Sequence, residues 1–164
     1  MIITPTFVIL FSVVFILVWI FANTIDKRKW VNFLITLVIA PLFYFYVFYP
    51  FINIFSNYHH QKHFNEETWV EKPALRYEMS REILQDSLFY GKTKKQVEAA
   101  LGMSEWFGWD DSIKANTSDK WNYNLGYLPG AFNMKQECLE FEFKNNVVIS
   151  TKQYQLKTNF EEKK

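Results

Sequence analysis

The sequence predicts an α+β protein in two parts: an N-terminal transmembrane helical hairpin, then a small ααβββ domain with two helices on one face of an antiparallel sheet. Three observations carry this reading. Before Lys62 the only charged side chains are Asp26, Lys27, Arg28 and Lys29, and they separate two long charge-free runs. From about Asn65 the composition turns polar. There the apolar residues recur first at helical spacing and then at every second position. The bulk values are 164 residues, 49% hydrophobic, 20% aromatic, 21% charged and a net charge of +1. They exclude a disordered, collagen-like or disulfide-rich chain. They also average two unlike parts, because the residues before Lys62 sum to +2 and the rest to −1. A near-neutral second part leaves no footprint for a nucleic-acid partner.

Ile2 to Ala22 is a 21-residue run without charge, long enough at about 1.5 Å per residue to cross the roughly 30 Å hydrocarbon core of a bilayer. Residues 1–24 are assigned to this first span. It lacks a basic leader and small residues ahead of a cleavage point, so it is expected to be retained and not removed as a signal peptide. Residues 25–30 form a short turn, expected to be cytoplasmic because it holds Lys27, Arg28 and Lys29. At the bilayer centre each of these charges costs about 3 kcal/mol or more, which keeps the turn in water. Residues 31–56 form the second span, where Pro41 and Pro50 are expected to kink the helix or mark its exit. Trp19 and Trp30 flank the turn, and Tyr44, Tyr46, Tyr49 and Tyr58 gather toward the other interface, as aromatic belts do. Both termini then lie on the far side of the membrane from the turn.

Residues 57–72 read as a juxtamembrane linker and 73–164 as the α+β domain. Pro73 suits the first turn of a helix running to about Phe89, with Leu75, Met79, Ile83, Leu84 and Leu88 as its apolar stripe. Arg76, Glu78, Arg81, Glu82 and Gln85 are expected to face solvent. Thr93-Lys94-Lys95-Gln96 is a capping box for a second helix that buries Val97, Ala100 and Leu101 and stops at Gly102. Trp121, Tyr123 and Leu125 alternate with Asn122 and Asn124, and Leu139, Phe141 and Phe143 with Glu140 and Glu142, which predicts two strands. Asn145-Asn146 fits a two-residue type I′ turn into a last strand from Val147 to about Leu156.

The run Gly91-Lys92-Thr93-Lys94-Lys95-Gln96-Val97-Glu98-Ala99-Ala100-Leu101-Gly102 is followed by Trp121-Asn122-Tyr123 with Leu125-Gly126. Leu139-Glu140-Phe141-Glu142-Phe143 then precedes Asn145-Asn146-Val147. Together these residues resemble the SmpA/OmlA family, the BamE-like domains, over roughly Leu75 to Leu156. The resemblance implies a non-catalytic envelope module that binds or assembles proteins. A related arrangement serves in secreted inhibitors of β-lactamase, which suggests as an alternative an inhibitor or immunity-type protein acting on a periplasmic or secreted enzyme. Family members are mostly lipoproteins, whereas the only cysteine here is Cys138, and Met103-Ser104 stands where a proline is usual. A bacterial inner-membrane address with both termini periplasmic is therefore expected, with the bilayer and an envelope protein as partners.

No catalytic constellation emerges from the residues, and no enzyme activity, cofactor or metal is expected. Gly91-Lys92-Thr93 fails as a phosphate-binding loop because Asp86 stands where the first glycine belongs. His59 and His63 share a face only if the second span continues as a helix, which leaves open a metal site with His60 nearby. Cys138 has no neighbouring histidine in sequence and reads as structural. Asp110-Asp111 reads as a solvated pair. Trp106-Phe107-Gly108-Trp109 places three large aromatics ahead of a polar loop, and Tyr127-Leu128-Pro129-Gly130 forms a second apolar loop tip. Such loops either fold back as core or act as partner hot spots. The candidate partner-binding residues are Trp106, Phe107, Trp109, Tyr127 and Leu128.

Overall fold

The computed structural model describes residues 1–85 and 87–157. The position of Asp86 and the end of the predicted domain, 158–164, lie outside the described residues. The chain divides into two compact units: residues 1–60 with 129–132, and residues 61–128 with those from 133 onward.

The first unit is a pair of helices. α1 (Pro5–Ile25) opens with the Thr4 hydroxyl accepting from Phe7 N at 3.2 Å and with Pro5 in its first turn. α2 (Lys29–Phe43) continues through a π turn (Tyr44–Phe48) into α3 (Tyr49–Phe55), giving 27 helical residues without a break. Both helical runs are long and apolar enough to cross a membrane. Pro41 and Pro50 flank the π turn, in which Tyr49 N bonds Tyr44 O five residues back. A proline removes one rung of the ladder, and a wider turn is one way to absorb it. Asn32 is buried at the closed end of the hairpin, where it donates to Asn23 Oδ1 (2.9 Å) and Asp26 O (2.7 Å). In apolar surroundings those bonds satisfy an amide that would otherwise be costly. At the open end the Tyr44 hydroxyl lies 3.1 Å from His60 Nε2, and Tyr49 stacks on the imidazole at 4.1 Å.

The second unit starts earlier than its apolar periodicity suggests. Asn65 caps α4 (Glu66–Glu71) by accepting from Thr68 N at 2.8 Å, and α4 carries Trp69 fully into the core. The expected single helix from Pro73 to Phe89 is instead a 3₁₀ helix (Pro73–Met79) followed by α5 (Ser80–Gln85). At about three residues per turn the faces rotate away from the α-helical register. Arg76 and Glu78, expected in solvent, are therefore buried. Arg76 donates to Trp69 O (2.8 Å) and Asn124 O (3.2 Å), pairs with Glu105 at 2.6 Å, and lies over the Trp69 ring. Those partners replace the water that the guanidinium gives up.

α6 (Lys94–Leu101) carries the predicted capping box, buries Val97, Ala100 and Leu101, and stops at Gly102. The sheet has four antiparallel strands, not three: β1 (Trp106–Asp110), β2 (Ala115–Tyr127), β3 (Lys135–Lys144) and β4 (Val147–Lys157), in spatial order β1-β2-β3-β4. Asn145 and Asn146 take φ of 53° and 68°, the pair of positive values that a type I′ turn needs. Tyr123, Leu139, Phe141 and Phe143 meet Trp69, Met79, Ile83, Phe89 and Leu101 in one core. Gly126, at an irregularity in the β2–β3 register, has φ +92°, and a Cβ there would lie 2.2 Å from Ala74 O. Only glycine lets the strand pass so close to the 3₁₀ helix.

Candidate functional site

The extra strand holds the candidate site. Trp106-Phe107-Gly108-Trp109, expected as a loop, pairs with β2 as the sheet's edge, with a register shift between Phe107 and Gly108. The polar stretch after it is not a loop either, since β2 begins at Ala115. Trp106 lies opposite Asn122, Asn122 opposite Glu140, and Glu140 opposite Lys152, so one row of side chains crosses all four strands on a single face. This is the face turned away from Tyr123, Leu139 and Phe141, because successive strand residues point to opposite sides.

Gly108 sets the depth of the row. A Cβ at this position would stand 2.7 Å from Glu140 Oε2 and 2.8 Å from Lys120 Cβ, so the β1 backbone sits directly over the carboxylate. Asn122, fully buried, ties the row together. Its amide oxygen accepts from Gly108 N (3.1 Å) while its nitrogen donates to the Tyr154 hydroxyl (2.9 Å) and Glu140 Oε2 (3.3 Å). Glu140 Oε1 pairs with Lys152 Nζ at 2.8 Å, the glutamate side chain being 10% exposed and the lysine 61%. The Trp109 indole donates to Asp111 Oδ1 at 3.0 Å, and Lys120 Nζ donates to Trp109 O at 3.2 Å.

An open groove of about 750 Å³ lies here, lined by Trp106 to Trp109 of β1 together with Asn116, Glu140, Lys152 and Tyr154. Phe107 and Trp109 remain 47% and 56% exposed, so they do not fold back as core. Burial pushes the Tyr154 hydroxyl up to about 12 and the neighbouring Cys138 thiol up to about 11, so both keep their protons at neutral pH. Hydrogen bonds from Ser112 hold the Asp110 carboxyl below its usual range. The arrangement offers stacking surface, one fixed carboxylate and one mobile ammonium. That is chemistry for binding.

The other predicted site residues lie elsewhere. Tyr127 ends β2 and is partly exposed, and Leu128 packs against the core, so neither lines the groove. The face shared by His59 and His63 does not form, because helix α3 stops at Phe55. His59 Nδ1 is 3.0 Å from Asn57 O, and His63 Nδ1 is 2.5 Å from Glu82 Oε1. Among the described residues no group of three or more His, Cys, Asp or Glu is placed to hold a metal. The backbone of Gly91–Lys94 is engaged by the start of β4, through Gly91 N to Val148 O (3.0 Å), Val148 N to Lys92 O (2.9 Å) and Lys94 N to Asn146 O (3.1 Å), and does not cradle a phosphate. Sequence reasoning missed Asn122, Glu140, Lys152 and Tyr154. For Asn122 and Glu140 the available signal was the polar half of the two alternations; Lys152 and Tyr154 lie in the last strand, for which no alternation is read.

Compared with family models, curated proteins and solved structures, the chain shows no match.

Proposed function

We propose that the protein is a non-catalytic binding module of the bacterial envelope, anchored in the inner membrane by its helical pair, with the second unit and both termini on the periplasmic side. The carrying observation is the edge strand β1, whose Phe107 and Trp109 stay exposed beside a groove instead of joining the core. Large aromatics held rigidly at a surface are the residue types that dominate binding energy at protein interfaces. The SmpA/OmlA resemblance supports the same reading, through the capped helix that ends at Gly102 and the aromatic strands that follow. The anchor is supported by two helices whose apolar side chains lie mostly outward, among them Ile9, Leu17, Leu34 and Val38. The three basic residues at positions 27–29 favour a cytoplasmic turn.

Affinity recovery of the full-length protein from solubilised membranes tests this reading. A specific envelope protein is expected with the parent chain and is expected to be lost with Trp106→Ala and Trp109→Ala. Unchanged recovery from variants that still fold would overturn it. If the recovered partner is a hydrolase that the protein silences, the inhibitor reading replaces assembly or maintenance.

A further inference from the structure

The groove beside β1 has a chemistry more specific than an aromatic patch. Its two charges differ in kind. The Glu140 carboxylate is fixed on the floor under Gly108, 10% exposed and held by Asn122, whereas the Lys152 ammonium that neutralises it is 61% exposed on a flexible stem. The built-in charge is therefore the negative one, and the positive one can leave for water at small cost. Near the groove Asp111 accepts from the Trp109 indole, Asp110 is held ionised by Ser112, and Lys120 donates to Trp109 O. Trp106 and Trp109 are among the residues that line it. A fixed carboxylate that offers one oxygen beside aromatic residues suits a cation that is planar, weakly hydrated and able to stack while it bonds.

We infer that the groove receives an arginine side chain of the partner protein, whose guanidinium displaces Lys152 from Glu140 and stacks against Trp106 or Trp109. This deepens the proposed binding role and rests on it. A lysine would lack the flat, weakly hydrated face that stacks on a ring. A neutral sugar would need the carboxylate–ammonium pair left in place, so Lys152 separates the two ligands: it competes with arginine and would assist a sugar.

The test uses the full chain in lipid nanodiscs and a blocked Gly-Arg-Gly peptide, with the citrulline peptide as its uncharged twin, followed by tryptophan fluorescence. The arginine peptide is expected to bind and the citrulline peptide to bind at least about fivefold more weakly. Lys152→Ala is expected to tighten arginine binding by about two- to fivefold, since it removes the competitor. Glu140→Gln and Trp109→Ala are each expected to weaken it by about fivefold or more. Equal binding of the two peptides overturns the inference, and so does weaker binding after Lys152→Ala. If Glu140→Gln fails to fold, the peptide pair and Lys152→Ala still decide. If the arginine peptide fails while Trp106→Ala and Trp109→Ala still abolish recovery of the membrane partner, the arginine falls and the binding face stands. If both fail, both readings fall.

Discussion

Gly126 and Glu82 show how single positions hold the second unit together. Gly126→Ala would press a methyl group into the Ala74 carbonyl and force a side chain onto a φ of +92°, and we expect it to cost about 2 kcal/mol or more, read as a lowered unfolding midpoint. Glu82 fastens the segment leaving the first unit: its Oε2 accepts from Phe64 N at 2.7 Å and its Oε1 meets His63. The Phe64 amide, and then His63, hold the Glu82 carboxyl below its ordinary value of 4.5. The folded state thus favours the anion, so this stabilisation is complete above that ordinary value and is lost as pH falls through the lower folded value. The protection of the Phe64 amide, taken relative to its intrinsic exchange rate, should fall in the parent as pH drops through the lowered Glu82 value, and should already be small at neutral pH in Glu82→Gln. A Phe64 amide equally protected in both proteins refutes the clamp.

At the level of elements, what was legible in the sequence was local. Thr93 and Gln96 announce their own helix start, and Asn145-Asn146 announces its own turn, because in each case the chemistry lies within four residues. Thr93→Ala should therefore cost about 1 kcal/mol in a denaturant titration, with the slope unchanged. The elements that were not legible are made by distant partners. Trp106-Phe107-Gly108-Trp109 has no alternation to read, and becomes a strand only by pairing with residues 115–122 across an irregular register. The segment from Pro73 has an α-helical apolar spacing, yet takes the tighter 3₁₀ form, in which Arg76 meets Trp69, Glu105 and the Asn124 carbonyl. The same blindness hid the floor of the candidate site. Asn122 and Glu140 read only as the polar half of two alternations, and it is the β1 backbone at Gly108 that covers them.

For the whole molecule, the two-part division was legible from the distribution of charge alone, since no local detail is needed to see that 57 of the first 61 residues carry none. The proposed orientation rests on the turn, where Arg28 pairs with Asp26 at 2.8 Å and Lys27 and Lys29 remain in excess. A reporter that works only after export, fused beyond Lys164, is expected to be active, and one inserted in the Asp26–Arg28 turn to be silent. The reverse pattern would place the second unit in the cytoplasm and remove the envelope reading.

The strand order β1-β2-β3-β4 bears on how such a chain can be made. Each strand pairs with the one delivered just before it, so at every stage the sheet's growing edge is the one the next stretch of chain covers. One long-range step is left for the end: the bonds between Gly91–Lys94 and Asn146–Val148, which link β4 to chain delivered more than fifty residues earlier. A sheet in this order needs no strand inserted between two that are already paired, and its last strand is the one that ties it back to the start of α6.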